Sequence, residues 1–199
     1  MKKVVISLIS LLAGATVALT PAAAQASNPL WYHGREPVIS EFLHVTGSGT
    51  IQLHRGATYS MRCKASIHNG TLQQQGYSQL DPLAITACTT PKPTYPCPRQ
   101  SKVEVLTRSP NGSWDGYLVA GTPIRDEIER IEIEIHCAGT EFGEDFTGTL
   151  TPAVTNTGAL KFDAGSGELD SAASPGSHLS LTGSFKLTGA TGSHSVKAK

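Results

Sequence analysis

The sequence Thr58-Tyr-Ser-Met-Arg-Cys-Lys-Ala-Ser-Ile-His68 alternates polar and apolar residues without a break. Successive side chains of a β-strand point to opposite faces, so this pattern predicts a strand with one buried face and one solvent-facing face. Cys63 falls on the apolar face, near the middle of the strand. Asn69-Gly70 follows directly, and this dipeptide is typical of a tight hairpin turn because both residues tolerate positive φ angles. The stretch therefore predicts a strand that carries a cysteine into the core and then turns back.

The N-terminus has the features of a targeting segment. Lys2-Lys3 precede an apolar run from Val4 to Leu19, and Ala24-Gln-Ala26 fits the small-x-small rule for signal-peptide cleavage. The run is short and lacks the charged flank of a membrane anchor. We expect residues 1–26 to be a signal peptide and the mature chain to begin at Ser27. The protein is then secreted, and no membrane span is expected in the mature chain.

Charge and composition exclude several classes of partner and point to a thin core. Removing the two signal-peptide lysines from the 16 Lys+Arg leaves 14 basic residues against 16 Asp+Glu, a net charge of −2. This balance predicts neither nucleic-acid binding nor binding to anionic membranes. Leu, Ile, Val and Phe make up 35 of the 173 mature residues, which is low for a globular domain, so covalent cross-links should matter.

Four cysteines in an exported chain predict two disulfides, for which three pairings are possible. Ile131-Glu-Ile-Glu-Ile-His-Cys137 repeats the alternating pattern and places Cys137 on an apolar face, as for Cys63. Cys88 is out of phase with the apolar residues before it and leads into a proline-rich loop that contains Cys97. We therefore expect a Cys63–Cys137 core bridge and a Cys88–Cys97 loop bridge. The loss of loop-closure entropy in the unfolded chain predicts a stabilisation of about 4 kcal/mol by the first bridge and of a little under 3 kcal/mol by the second.

The rest of the chain predicts further short strands. Ser109-Pro-Asn-Gly112 is a second hairpin signal. Thr122–His136 fits both a helix and a strand, but its β-branched content favours a strand from about Glu129, after at most one helical turn at Arg125–Ile128. The predicted strands, with a break at Gly47-Ser-Gly49, are Val38–Val45, Ile51–Leu53, Val103–Thr107 and Trp114–Val119.

Short strands at this spacing are typical of one all-β domain. We expect a single antiparallel β-sandwich or barrel, stapled by disulfides. Residues 27–37 form an N-terminal arm, residues 38–195 the all-β domain, and Val196–Lys199 a frayed tail.

The residues that carry chemistry form no recognised site. The sequence contains neither Gly-x-Ser-x-Gly nor Ser-x-x-Lys, so no nucleophilic serine is predicted. Glu141, Glu144 and Asp145 have the chemistry of a glycosidase acid–base pair, but nothing fixes their separation, and we expect an acidic surface loop. Asp163–Asp170 lacks the alternating ligands of a calcium loop and is expected to be a turn. No pair of the seven histidines has a metal-ligand spacing, and we expect surface histidines, with no metal and no cofactor: His33, His44, His54, His68, His136, His178 and His194.

The order of these features resembles a group of secreted actinobacterial β-proteins of unknown function. The resemblance rests on a signal peptide, the strand with Cys63, Ile85-Thr-Ala-Cys88, Cys97, Ile133-Glu-Ile-His-Cys137 and Phe146-Thr-Gly-Thr-Leu150. It covers most of the mature chain, and it implies no activity. Over a short C-terminal stretch, Leu181-Thr-Gly-Ser-Phe185 with Gly189-Ala-Thr-Gly192 is also similar to dirigent and allene-oxide-cyclase-like barrels.

These observations predict a secreted, non-catalytic β domain with a cell-surface or extracellular binding or structural role. The alternative is a β-barrel that binds a small apolar ligand in its interior. A secreted hydrolase is the third possibility. The partner is expected to be a cell-surface component or a small ligand, and the sequence does not identify it.

Overall fold

Fifteen β-strands make up most of what this computed structural model describes, which is residues 28–39, 42–56, 59–89, 97, 102–189 and 196–199. The expected signal peptide and most of the proline-rich loop after Thr89 lie outside the described residues. Two single-turn 3-10 helices lie at Gln74–Gly76 and Ala164–Ser166. The strands are β1 (Trp31–His33), β2 (Glu36–Pro37), β3 (Leu43–Arg55), β4 (Tyr59–Leu72), β5 (Tyr77–Leu80), β6 (Ala84–Thr89), β7 (Val103–Arg108), β8 (Trp114–Val119), β9 (Arg125–Cys137), β10 (Gly143–Leu150), β11 (Ala153–Val154), β12 (Ala159–Phe162), β13 (Glu168–Ser171), β14 (His178–Gly189) and β15 (Val196–Ala198).

Eight strand positions close into one antiparallel barrel, which confirms the predicted all-β class. Four positions are the long strands β3, β4, β9 and β14. Each of the other four consists of two short strands that follow one another along a long neighbour. β5 and β6 lie beside β4, β7 and β8 beside one edge of β9, β10 and β11 beside its other edge, and β12 and β13 beside β14. Eleven residue pairs between β14 and β3 close the ring.

β3 runs without interruption where a break was predicted. Gly47 and Gly49 lie inside it because their missing side chains let β14 approach. A Cβ on Gly49 would lie 2.4 Å from Phe185 Cα, and one on Gly47 would lie 3.1 Å from Phe185 Cδ2. Glycine here makes room for an aromatic ring in the core and does not end the strand. The prediction of two separate strands was therefore wrong.

The predicted hairpin turn at Asn69-Gly70 is also wrong, because β4 continues through it. Between two paired positions, β4 has the two residues His68 and Asn69 where β3 has only one, which is a β-bulge. The bulge turns Gly70 inward, and a Cβ there would lie 2.8 Å from Leu80 Cδ2. The alternation in the preceding part of the strand is confirmed, with Tyr59, Met61, Cys63, Ala65 and Ile67 all buried.

The predicted hairpin at residues 109–112 is wrong. β7 and β8 do not pair with each other; both pair with β9 in the same direction, and residues 109–113 loop out between them. The predicted strand from about Glu129 to Cys137 is confirmed, and β9 begins earlier, at Arg125, without a helical turn. A residue with positive φ at Arg130 shifts the alternation by one position. Asp126 and Ile128 therefore point inward on the same strand as Ile131.

The disulfides are Cys63–Cys88 and Cys97–Cys137, so the predicted pairing was wrong. The cause is a bulge in β6. Ala87 has a φ of 48°, and the register between β6 and β4 shifts at this point. Without the bulge, Cys88 would face outward, but the extra residue returns it to the inner face, opposite Cys63. Cys97 is then left for Cys137 at the end of β9.

The N-terminal arm and the C-terminal tail form one small sheet. β1 pairs with β15 and with β2, so the predicted frayed tail is ordered as a strand. The buried Trp31 donates its indole N–H to the Gly76 carbonyl at 3.1 Å, and this contact docks the arm beside the end of the barrel where β5 begins. The arm thus belongs to the folded unit.

The barrel interior is filled by its own side chains. Leu53, Met61, Ile133, Phe146 and Leu179 point inward from five strands, and each exposes 0% of its surface. The interior of a barrel of eight strands is just wide enough to be filled by side chains or to hold one small ligand. A water-sized void would leave the residues around it partly accessible. These levels of the barrel are therefore a packed core.

Candidate binding surface

One end of the interior holds a buried carboxylate. Asp126 is fully buried, and Ser78 Oγ donates to its two oxygens at 3.2 and 3.3 Å. Gly116 lies beside them, and a Cβ at this position would lie 2.4 Å from Ser78 Oγ. Burial raises the pKa of Asp126 to about 7, although the Ser78 hydrogen bond opposes the shift. Asp126 forms no ion pair within the described residues.

The opposite end of the interior holds a carboxylate that is paired. Glu144 is 7% exposed, and its Oε2 lies 2.7 Å from Arg55 Nε. Ser171 donates to its other oxygen at 2.8 Å. Arg55, Glu144 and Ser171 lie on three different strands, so the pair joins these strands across the rim. Because the carboxylate is compensated, its role here is structural.

The three acids named as a glycosidase pair lie in different environments. Glu144 points inward and Asp145 outward because they are adjacent on β10, and Glu141 is exposed in the preceding turn. The three acids therefore do not converge. Near the rim, His178 Nδ1 lies 2.7 Å from Asp170 Oδ1 beside a cleft of about 370 Å³ that Arg55 also lines. Asp170 is 79% exposed, so no water-excluded acid–base site is formed there.

A tyrosine cluster lies on the outer wall across β5, β8 and β9. Tyr77 and Tyr117 face each other from paired positions, with ring centroids 5.0 Å apart. Asp115 accepts a hydrogen bond from the Tyr77 hydroxyl at 2.7 Å and pairs with Arg130 at 2.9 Å. Burial, followed by the hydrogen bond to Asp115, raises the pKa of Tyr77 to about 12. The Tyr77 hydroxyl, Asp115 and Arg130 thus satisfy one another.

The histidines and the acidic turn hold no metal site within the described residues. His54 Nε2 lies 2.9 Å from Thr182 Oγ1, and His136 lies 3.2 Å from Glu104 across two strands. Asp163 caps the 3-10 turn between β12 and β13 and pairs with Arg125 at 3.2 Å. The Nδ1 atom of His136 is buried without a hydrogen-bond partner within the described residues, and His194 lies outside them.

The charges of the barrel are segregated by strand, which the net charge conceals. β3, β4 and β14 contain no Asp or Glu, and they are consecutive in the barrel. Arg62, Lys64 and Lys186 point outward from them, and none takes part in an ion pair within the described residues. We call the outward face of these three strands the acid-free wall. Its outward residues include His44, Thr46, Ser48, Thr50, Gln52, His54, Ser60, Arg62, Lys64, Ser66, His68, Thr71, His178, Ser180, Thr182, Ser184, Lys186 and Thr188.

The other side of the barrel carries the acids. β7, β8, β9 and β10 present seven outward carboxylates: Glu104, Asp115, Glu127, Glu129, Glu132, Glu134 and Asp145. Every arginine on these strands is held in an ion pair, Arg108 with Glu134, Arg125 with Asp163 and Arg130 with Asp115. One wall is therefore net negative and the acid-free wall is net positive.

Comparisons with protein-family models, with curated proteins and with solved structures find no match for this chain. The part of the chain that the structure describes contains no helix with the length and apolarity needed to cross a bilayer. Its two disulfides fit an oxidising, extracellular compartment.

The net charge of the whole chain does not reveal the acid-free wall, because the acids of the other strands balance its cations. The signal was present in the sequence. Leu43–Arg55 and Tyr59–Leu72 contain no acid, whereas Arg125–Cys137 contains five. Counting charge separately for each predicted strand would have shown the contrast, although not that β14 lies beside β3.

Proposed function

We propose that this protein is a secreted, non-catalytic β-barrel that acts outside the cell by binding through its outer surface. The observation that carries this proposal is the packed interior, in which Leu53, Met61, Ile133, Phe146 and Leu179 expose 0% of their surface. An interior filled by side chains favours binding at the exterior over binding of an apolar ligand inside the barrel. The two disulfides support an extracellular location, and residues 1–26 are proposed to direct export and to be removed before Ser27.

The experiment expresses the full chain in a secreting strain of the source organism and locates it by fractionation and intact mass. We expect a product that begins at Ser27 and co-sediments with isolated cell envelopes. A product that retains its N-terminus inside the cell would contradict export. Failure to bind envelopes would contradict a surface role.

The same purified protein tests the alternatives. We expect no increase in the fluorescence of N-phenyl-1-naphthylamine, because a packed barrel has no apolar cavity for the dye. Saturable dye binding that quenches tryptophan fluorescence would instead support the apolar-ligand barrel. Turnover of ester or glycoside substrates would support a hydrolase.

A further inference from the structure

We propose that the acid-free wall binds an anionic polysaccharide, one that carries carboxylate groups along its chain. The inference rests on the proposed extracellular function and names the ligand class for it. It starts from three cations, Arg62, Lys64 and Lys186, which lack ion-pair partners within the described residues.

The register of the strands places these cations close together on the outward face of the wall. Lys64 pairs with Thr50, which pairs with Ser184, so these three residues form one row across the wall. Lys186 lies in the next row, paired with Ser48. Since neighbouring strands are about 4.8 Å apart, Lys64 and Lys186 lie on strands about 10 Å apart. This separation suits successive charges of an extended polymer better than a single small anion.

The residues between the cations favour a carbohydrate. The outward positions of the wall are mostly serine and threonine, whose hydroxyls both donate and accept hydrogen bonds with sugar hydroxyls and carboxylates. β3 pairs continuously with β14 over eleven residue pairs, so the wall is long and regular. An extended chain can therefore lie along it.

The same residues argue against other ligands. The wall presents no Phe, Tyr or Trp on which nucleic-acid bases could stack. It presents no aliphatic side chain that could enter a lipid surface. A neutral glycan would not need the three unpaired cations. The opposite wall, with its seven outward carboxylates, would repel the polymer and so set which side of the barrel binds.

The test measures binding to immobilised polygalacturonate, with neutral dextran as the reference surface, in about 50 mM salt. The variant R62Q/K64Q removes two cations from the wall. R35Q/K102Q is its matched control, since it removes one arginine and one lysine from exposed positions outside the wall. We expect about a tenfold loss of affinity in R62Q/K64Q, because two ionic contacts are lost, and a change of less than about twofold in the control.

Several results would overturn the proposal. These are equal losses in both variants, equal binding to dextran, or tighter binding of single-stranded DNA than of polygalacturonate. The failure of this proposal is distinguishable from that of the proposed function. If the protein binds envelopes but not polygalacturonate, the proposed ligand class is wrong and the proposed extracellular function stands. Polygalacturonate binding by a protein that is not exported removes the extracellular role and leaves the chemistry of the wall.

Discussion

The substitution Asp126→Asn tests whether the Asp126 carboxyl is buried without a compensating charge at one end of the barrel interior. Asparagine keeps the shape of the side chain and still accepts the Ser78 hydrogen bond, but it cannot ionise. The pKa of Asp126 is raised from 3.8 to about 7. The folded protein therefore holds this proton more tightly than the unfolded chain, so the wild type loses stability as pH rises from about 4 to about 7. Below pH 4 the side chain is neutral in both states, and this loss is absent.

The size of the effect follows from the shift. Since one pKa unit corresponds to 1.36 kcal/mol, a pKa raised by about three lowers the free energy of unfolding by roughly 4 kcal/mol at pH 8. This is an upper value, because local relaxation and water entry reduce it. We expect Asp126→Asn to match the wild type near pH 4 and to be more stable by about 2–4 kcal/mol at pH 8. Urea unfolding followed by tryptophan fluorescence measures the difference at each pH.

Asp145→Asn is the matched control, because it removes the same charge from an exposed position on the outer wall. If the stability curves of Asp126→Asn and wild type run parallel from pH 4 to pH 8, Asp126 is hydrated or compensated and our account of this end of the barrel is wrong. A lower stability of Asp126→Asn at all pH values would contradict it equally.

Three further outcomes are expected. Gly116→Ala should lower the free energy of unfolding by about 2 kcal/mol or more, because its new Cβ overlaps Ser78 Oγ; a neutral effect in urea unfolding would show that this level is loosely packed. Replacing both cysteines of the Cys97–Cys137 disulfide by alanine should lower it by about 3–4 kcal/mol from loop-closure entropy, and peptide mapping without reductant should recover this pair from the wild type. Tyr77 should resist ionisation up to about pH 12 in an ultraviolet titration, and a Tyr77→Phe variant that leaves the high-pH transition unchanged would refute that assignment.

Strand periodicity predicted the fold class and most of the buried face. The inward set of β4 was read correctly from Tyr59 to Ile67 because alternation depends only on the local geometry of a strand. These predictions needed no knowledge of which strands are neighbours.

The failures all depend on neighbours. Gly49 and Gly70 were interpreted as chain breaks, whereas a neighbouring strand leaves no room for a Cβ at either position, through its backbone at Gly49 and through the Leu80 side chain at Gly70. The disulfide pairing failed because the positive φ of Ala87 changes the phase of β6 by one residue. A bulge leaves no clear signal in the sequence, since alanine is not typical of that conformation. The inward positions of Cys63 and Cys137 were predictable, but their partners were not.

The candidate surface was hidden for a related reason. The net charge is a property of the whole chain, but recognition depends on which charges share a face. Arg62 and Lys64 are close in sequence, whereas Lys186 joins them only through the pairing of β14 with β3.

Backbone amide chemical-shift mapping during titration with short oligogalacturonates tests the central claim most directly. The account predicts that the shifts concentrate on β3, β4 and β14 around Thr50, Lys64 and Ser184, while the amides of β9 and the packed interior stay unchanged. Shifts concentrated on β9 or around the tyrosine cluster, or spread through the barrel core, would contradict a binding function located on the acid-free wall.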